Sequence, residues 1–207
     1  MLDTHDGIGV IDAGPSAHRE GLISFEEMRD IFERAAVATR GHSALASVLP
    51  AWTALPHQIN ATFFSTLGAD PTAYLLCRAV QLFVPGTPQI YYVGLLAGLD
   101  DTDLYARTAN GRDVNRHFYS PDEIAEALAA EVPRAILALV RLRATHAAFD
   151  GDFSWEAGGD SLRLAWRTAG ASAVLEARVT RGDVGFVLEV SGPDGPVRFD
   201  GVTALAG

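Results

Sequence analysis

Lysine is absent from the sequence, and no part of it concentrates basic residues. All 16 basic residues are therefore arginines, against 26 acidic residues, and the formal net charge is -10. Nucleic acids and anionic membranes repel an acidic surface that has no compensating basic patch. The composition thus predicts neither nucleic acid nor membrane as a partner.

Long apolar runs are also missing: no stretch approaches the roughly 20 apolar residues of a transmembrane helix. The first residues lack the basic and apolar segments of a signal peptide. The one cysteine, Cys77, has no partner for an internal disulfide and lies in an apolar helical run, where a buried thiol is expected. Together these absences predict a soluble, cytoplasmic protein.

The 207 residues, 48% of them hydrophobic and 20% charged, have the usage of a globular protein. Helix-start signals divide the first part of the chain. Ser24 and Glu27 form a capping box, Asp70 precedes a proline, Ser120 and Glu123 form a second box, and Pro133 opens a further amphipathic segment. These signals predict four helices.

Between the second and third of these helices lies the run Gln89-Ile90-Tyr91-Tyr92-Val93, which is β-branched and aromatic. It is apolar on both faces and bounded by Pro88 and Gly94, which is typical of a strand buried in a parallel sheet. A parallel strand that lies between predicted helices in the sequence indicates an α/β fold.

Beyond residue 148 the pattern changes to alternation of apolar and polar residues, as in Leu162 to Arg167 and Phe186 to Val190. Glycine-containing turns at Gly158-Gly159-Asp160, Arg181-Gly182-Asp183 and Pro193-Asp194-Gly195 separate these segments. Such spacing is typical of an antiparallel sheet. We therefore predict one domain over residues 1–147 and a C-terminal β-sheet domain over residues 148–207.

Polar residues cluster at the start of the chain, where Asp3, His5 and Asp6 precede the apolar segment from Gly7. Polar clusters at strand ends often form the sites of α/β proteins. A fragment of a metal site, an ion-binding loop or a solvated turn are alternatives. Zinc is disfavoured, because no second His or Cys stands at ligand spacing, and no metal is predicted.

A second polar segment, Gly111-Arg112-Asp113-Val114-Asn115-Arg116-His117, follows the predicted strand. For Asp113, Asn115 and Arg116 we favour a structural role, an internal Arg–Asp pairing that fixes a long loop. Arg112, beside a flexible glycine, is the better candidate for binding an anion or a sugar hydroxyl.

Taken together, several segments resemble the sucrose phosphorylase branch of the α-amylase superfamily. In order they are Leu2-Asp3-Thr4-His5-Asp6-Gly7-Ile8-Gly9, Gln58-Ile59-Asn60, Pro88-Gln89-Ile90-Tyr91-Tyr92-Val93-Gly94-Leu95-Leu96-Ala97-Gly98, Gly111-Arg112-Asp113-Val114-Asn115-Arg116-His117 and Ala148-Phe149-Asp150-Gly151. The resemblance extends to about residue 167. It implies the last strands and helices of a (β/α)₈ TIM barrel, with an inserted loop and helix region at about residues 13–57, and then a small antiparallel β domain.

The resemblance implies a retaining transfer of glucosyl from sucrose to phosphate, giving α-glucose 1-phosphate and fructose. Such enzymes use two carboxylates, a nucleophile and an acid/base. By motif match Asp6 is a third carboxylate that stabilises the transition state, and His5 donates to the same sugar hydroxyls. Arg112 matches an arginine at the glucosyl and phosphate site, and Gln58 matches an acceptor-site glutamine. No cofactor beyond the co-substrate phosphate is implied, and a homodimer of the full-length enzyme is compatible with the family.

Two departures from the family pattern qualify these expectations. Before Gln58 the sucrose-specific pattern has an Asp, an apolar residue and a Tyr, whereas this chain has Leu55-Pro56-His57. His57 favours a more anionic leaving group, as in sucrose 6'-phosphate or another α-glucoside, and simple loop drift is the alternative. The family nucleophile and acid/base precede the His-Asp motif, so we expect the chain alone to be inactive. It would be a C-terminal fragment of the enzyme or a truncated, non-catalytic paralogue that serves as a binding module.

Overall fold

The structure is a computed structural model that describes residues 1–16, 18–47, 56–180, 183–193 and 195–206. Two compact units emerge, one from Met1–Ala69 with Ile90–Glu123 and the other from Asp70–Gln89 with Ile124–Gly207.

In chain order the helices are α1 Phe25–Ala38, α2 His42–Ala46, α3 Phe63–Thr66, α4 Pro71–Phe83, α5 Tyr92–Leu95, α6 Thr102–Thr108, α7 Pro121–Ala129, α8 Glu131–Thr145 and α9 Gly201–Ala206. The strands are β1 Ile8–Gly9, β2 Gln58–Ile59, β3 Asp152–Gly158, β4 Ser161–Arg167, β5 Ser172–Thr180, β6 Asp183–Gly192 and β7 Gly195–Asp200.

All four predicted helices form, and three of them begin where their caps indicate. The backbone N–H of Glu27 donates to Ser24 Oγ while the Glu27 carboxylate accepts from the Ser24 N–H, a complete capping box at the start of α1. Asp70 accepts from the first turn of α4, and Glu123 pairs with Ser120 at α7. The fourth helix, α8, begins at Glu131, two residues before the predicted proline.

The first unit contains a small apolar core under α1. Its buried members are Val10, Met28, Ala35, Ile59 and Ala61. Helix α1 contributes one face of this core and also packs against α2 and α3. The loop and helix region predicted at about residues 13–57 contains α1 and α2, and residues 48–55 of it, Leu55 among them, lie outside the described residues.

The two short strands of the first unit, β1 and β2, pair antiparallel, with Ile8 opposite Ile59 and Gly9 opposite Gln58. This pairing places the polar residues before β1 beside those of β2.

The prediction of a strand over Gln89 to Val93 is wrong. Residues 89–91 pair with no described strand, Tyr91 is extended, and Tyr92 begins the helical turn α5. A parallel strand requires hydrogen-bonded neighbours, and the described residues supply none there.

The second unit combines α4, α8 and α9 with a five-stranded sheet in the order β3-β4-β5-β6-β7. Every neighbouring pair in this sheet is antiparallel, as the alternating sequence predicts. The predicted turn at Gly158-Gly159-Asp160 joins β3 to β4, and Gly159 has a φ of +59° there. The other two predicted turns fall between β5 and β6 and between β6 and β7, and their residues Arg181, Gly182 and Asp194 lie outside the described residues.

Trp166 on β4 anchors the sheet to the helices of the second unit. Its side chain is 8% exposed, and its indole N–H donates to the carbonyl of Phe83 at the end of α4, at 2.6 Å. Phe149 packs edge-on against Phe83 at 5.2 Å and lies 5.9 Å from Trp166. The guanidinium of Arg143 on α8 lies over both rings, 4.7 Å from Phe149 and 5.0 Å from Trp166. These aromatic contacts join α4, α8 and the sheet in one core.

The predicted division near residue 148 stays a prediction, since the compact units group residues by contact and place α4 and α8 with the sheet. Cys77 on α4 is half-buried, and burial raises the pKa of its thiol. No described helix has the length and apolarity required to span a membrane.

Candidate active site

Asp6 lies in a tight turn just before β1. The backbone N–H of Thr4 donates to the carbonyl of Gly7 at 3.0 Å, and that of Gly7 donates back to Thr4 at 3.1 Å. Gly7 has a φ of +115°, and a Cβ atom there would collide with the carbonyl oxygen of Ile59. The turn therefore requires glycine at this position.

Three basic side chains surround the Asp6 carboxylate. Arg112 Nη1 lies 3.0 Å and Arg116 Nη2 lies 3.2 Å from Asp6 Oδ1, and His5 Nε2 lies 3.4 Å from the same oxygen. The Asp6 side chain is 37% exposed. The carboxylate thus contacts three basic side chains and is still partly open to solvent.

Arg112 lies in a 3-10 turn over Gly111–Asn115, and Arg116 is the C-cap residue of that turn. Asn110 caps this turn, since its side chain accepts from the backbone N–H of Arg112 at 3.2 Å. A Cβ atom at Gly111 would collide with the Ala46 carbonyl, so only glycine allows the turn to approach α2 so closely. Val114 is fully buried and anchors the turn. The polypeptide therefore holds Arg112 and Arg116 against Asp6 by local packing.

The two arginines differ in how firmly they are held. Arg116 is 26% exposed and also lies 3.6 Å from Asp113, which confirms the Arg–Asp pairing expected for this loop. Arg112 is 51% exposed, and its guanidinium contacts Asp6 through one nitrogen. Arg112 thus has surface and hydrogen-bond donors open to a ligand.

Three side chains also donate hydrogen bonds to consecutive backbone carbonyls of the turn that carries Asp6, those of Thr4, His5 and Asp6. Asn115 Nδ2 donates to the Thr4 carbonyl at 3.0 Å, Arg116 Nε donates to the His5 carbonyl at 2.7 Å, and Gln58 Nε2 donates to the Asp6 carbonyl. Gln58 Nε2 also contacts Asn60 Oδ1 at 2.9 Å. The backbone that carries Asp6 is therefore fixed from two directions, by the 3-10 turn and by β2.

Of the five site residues suggested by the sequence, the structure brings four together: Asp6, His5, Arg112 and Gln58. His57 precedes Gln58 at the start of β2, and its side chain is exposed. The sequence interpretation missed the contacts of Arg116 and Asn115 with the Asp6 turn. Their presence in the same heptapeptide as Arg112 was the available signal, because Arg112 and Asn115 lie in one short 3-10 helix and Arg116 is its C-cap.

His117 forms a second polar group in this unit. Its Nδ1 lies 2.6 Å from Asp101 Oδ2, and its Nε2 lies 3.3 Å from Glu123 Oε1. The hydrogen bond with Asp101 raises the pKa of His117, and the Glu123 contact adds to it. Burial raises the pKa of Asp101, but its hydrogen bonds with His117 and Leu104 outweigh this effect, and the net pKa is lowered. Tyr119 packs against the imidazole at 4.5 Å, and burial raises its phenol pKa to about 12.

Within the described parts of the chain, no group of three His, Cys, Asp or Glu side chains is arranged to hold a metal ion. The arrangement around Asp6 is instead that of an anionic group flanked by cations at an open surface. Chemically it can hold sugar hydroxyls between carboxylate and guanidinium, and it can place a negative charge next to a developing positive one.

Comparison with known proteins identifies relatives of the chain. The chain is 42% identical over 186 residues to the sucrose phosphorylase of Bifidobacterium adolescentis and 44% identical over 170 residues to that of Agrobacterium vitis. It is 38% identical over 172 residues to the sucrose 6(F)-phosphate phosphorylase of Thermoanaerobacterium thermosaccharolyticum. These alignments cover 88%, 80% and 81% of the chain, and 37%, 34% and 34% of the respective relatives. The chain thus spans about a third of their length.

Among solved structures, the crystal structure of the Thermoanaerobacter thermosaccharolyticum sucrose 6F-phosphate phosphorylase matches with a TM-score of 0.83 at 32% identity. The match covers 96% of this chain and 40% of the other, and it confirms the predicted fold class. No family model matches the chain. With its motifs, its fold and its close relatives in agreement, the chain belongs to the sucrose phosphorylase branch of the α-amylase superfamily.

Proposed function

We propose that the chain is part of a retaining glycoside phosphorylase that transfers glucosyl from sucrose to phosphate. The observation that carries this proposal is the Asp6 carboxylate, exposed on one side and in contact with Arg112, Arg116 and His5. By family the protein is an enzyme, and its relatives are named for sucrose or sucrose 6(F)-phosphate phosphorolysis. Its substrates are accordingly a small sugar and phosphate.

In this proposal Asp6 stabilises the oxocarbenium-like transition state, because a fixed negative charge lies where positive charge develops on the glucosyl ring. The neighbouring arginines contact the carboxylate and restrict its orientation. His5, at 3.4 Å, donates to glucosyl hydroxyls beside it. Each group acts by position and charge and forms no bond to the sugar.

Arg112 binds the glucosyl hydroxyls and the attacking phosphate. Its guanidinium is half exposed and holds one contact with Asp6, so a ligand can engage its remaining donors without displacing a buried partner. Arg116 keeps three contacts and serves as the fixed cation. Gln58 and His57 face the acceptor side as neighbours at the start of β2. The reaction needs no metal or organic cofactor in this scheme.

A retaining mechanism also requires a nucleophile and an acid/base about 5 Å apart. In the described part of the chain, the side chains that contact the Asp6 carboxylate are those of Arg112, Arg116 and His5, and none of them is a carboxylate. We propose that both groups come from other parts of the protein and that the chain alone is inactive. We place the enzyme in the cytoplasm, and its full-length form is compatible with a homodimer.

Sucrose 6'-phosphate is the second candidate substrate. Two observations favour it: the exposed imidazole of His57 beside Gln58, and the structural match to a sucrose 6F-phosphate phosphorylase. A protonated imidazole would bind the extra phosphate of the leaving group. A non-catalytic binding module is the remaining alternative, and it predicts sugar binding without turnover.

The test is phosphate-dependent release of glucose 1-phosphate from sucrose and from sucrose 6'-phosphate. It uses the complete enzyme, by which we mean the whole protein that carries this chain or a chimera in which the chain replaces the matching portion of the Agrobacterium vitis sucrose phosphorylase. We expect turnover by the complete enzyme and none by the chain alone. A wide preference for sucrose would overturn the role of His57, and absence of phosphorolysis from any α-glucoside would overturn the proposed function.

A further inference from the structure

Asn115 makes a contact that its sequence position does not suggest. Its Nδ2 donates to the Thr4 carbonyl at 3.0 Å across 111 residues of sequence, and the residue is 3% exposed. Asn115 is therefore buried, and it supports the turn that carries Asp6 from the protein side.

The amide of Asn115 is costly to bury. Its Oδ1 is inaccessible to solvent and has no hydrogen-bond partner among the described residues. A buried acceptor without a partner destabilises the folded state, whereas an apolar side chain of similar size would avoid that cost. What the amide provides in return is its donation to Thr4.

The backbone of Asn115 is itself held in place. The hydroxyl of Tyr91 donates to the Asn115 carbonyl at 3.2 Å, and the preceding Val114 is fully buried and accepts from the Asp101 N–H at 2.7 Å. These contacts fix the backbone that carries the Asn115 amide, and so they fix the position from which it donates to Thr4. The next residue, Arg116, binds the next carbonyl, that of His5.

We propose that Asn115 is a positioning residue for Asp6, which it orients through the Thr4 carbonyl. This inference rests on the proposed function, since it assigns to Asn115 a share in the placement of the transition-state carboxylate. The Thr4–Gly7 turn is closed by two backbone hydrogen bonds, so a shift at Thr4 moves the whole turn. Displacement of a catalytic group by about 1 Å can lower a rate by about 10²-fold.

The test compares variants of the complete enzyme, normalised to folded protein. Asn115→Ala removes the donor, and we expect kcat for phosphorolysis to fall by about 10-fold to 100-fold with KM for the glucoside and phosphate within about threefold. Asn110→Ala is the matched control, because it removes an amide from the exposed end of the same 3-10 turn. That variant loosens the Arg112 side of the turn, so we expect it to affect KM more than kcat.

Asn115→Asp adds a readout that a purely structural role would not change. It is isosteric, and its ionised carboxylate cannot donate to Thr4, whereas its protonated form can. Burial favours protonation of a carboxyl group at this position. The kcat of Asn115→Asp relative to the parent should therefore rise as pH falls from 7 to 5, while that of Asn115→Ala stays level.

The outcomes separate the two proposals. An active parent with unchanged kcat in Asn115→Ala would overturn the positioning role and leave the proposed function intact. The positioning role would also be overturned if Asn110→Ala lowered kcat as much as Asn115→Ala does, or if the kcat of Asn115→Asp relative to the parent did not change between pH 7 and pH 5. Either result would indicate a general loosening of the loop. A parent without phosphorolysis of any α-glucoside would overturn the proposed function, and the positioning role with it.

Discussion

Arg116 lies against Asp6 with 3.2 Å between Nη2 and Oδ1, although 110 residues separate the two in the sequence. The same guanidinium donates through Nε to the carbonyl of His5. One side chain thus fixes both the backbone and the carboxylate of the turn. Because the geometry of the planar guanidinium is rigid, these two contacts restrict the direction in which Asp6 points.

Asp6→Asn tests the electrostatic role of this carboxylate. The amide keeps the shape of the side chain but removes the negative charge that stabilises the transition state, so we expect kcat of the complete enzyme to fall by about 10²-fold to 10³-fold. Steady-state phosphorolysis measures the effect. Asp152→Asn, at the exposed start of β3, is the matched control and should leave kcat unchanged. Activity of Asp6→Asn within threefold of the parent would refute the role.

Arg112 is expected to bind ligand by its charge and by its planar shape. Arg112→Ala should raise KM for phosphate or glucoside by at least about tenfold, the scale of one charge-assisted hydrogen bond of about 1.5–3 kcal/mol. Arg112→Lys keeps the charge without the fork and should recover part of the loss. Arg107→Ala removes an exposed arginine from α6 and serves as the control. Equal KM values in all three variants would contradict the assignment.

How far the sequence predicts the fold depends on the range of the interactions. Caps at Ser24, Asp70 and Ser120 act within one helical turn, so their residue types alone located the helices. The sheet was predictable because apolar residues recur at every second position in β4 and β6. Burial follows this alternation in β6, whereas β4 buries Leu164, Ala165 and Trp166 together. The strand expected at Gln89 to Val93 failed, because a strand depends on neighbours that may lie anywhere along the chain and its own pattern does not show them.

The candidate site shows the same limit. The grouping of Asp6, His5, Arg112 and Gln58 was expected only through the family resemblance, since no local pattern links residues so far apart. Asn115 and Arg116 were interpreted as residues that fix their own loop. That interpretation was right for the pair of Arg116 with Asp113, but the contacts with Thr4, His5 and Asp6 arise from tertiary packing around Val114.

His117 makes the stability of the first unit depend on pH. Its hydrogen bond with Asp101 raises the pKa of His117 above the unfolded value of about 6.5, so its contribution is fully present below that pH and is lost as pH rises through the folded pKa. The neutral imidazole has one N–H and can donate to only one of its two carboxylates. The pKa values of Asp101 and Glu123 are lowered, so these two carboxylates have the opposite pH dependence. Their contribution to stability is present at neutral pH and is lost as pH falls below about 4.

We therefore expect the midpoint of thermal unfolding of the complete enzyme to decline above about pH 6.5, and that of His117→Gln to decline less over the same range. Thermal unfolding followed by circular dichroism between pH 5.5 and 8.5 measures the difference. His18→Gln is the control, because it removes an imidazole near an exposed turn, away from this carboxylate pair. Parallel pH profiles for parent and His117→Gln would show that the two hydrogen bonds contribute nothing to stability.

Two tryptophans on adjacent strands provide a test of the second core. Trp166 is 8% exposed and packs against Phe149, whereas Trp155 on β3 is 65% exposed. Trp166→Ala should lower the free energy of unfolding by about 3–5 kcal/mol, because it removes a buried ring and leaves a cavity. Trp166→Phe should cost less, since it mainly loses the hydrogen bond to the Phe83 carbonyl. Trp155→Ala should change stability by about 0.5 kcal/mol or less. Chemical denaturation of the complete enzyme measures all three, and equal losses for the two alanine variants would contradict the assignment of Trp166 to the core that joins sheet and helices.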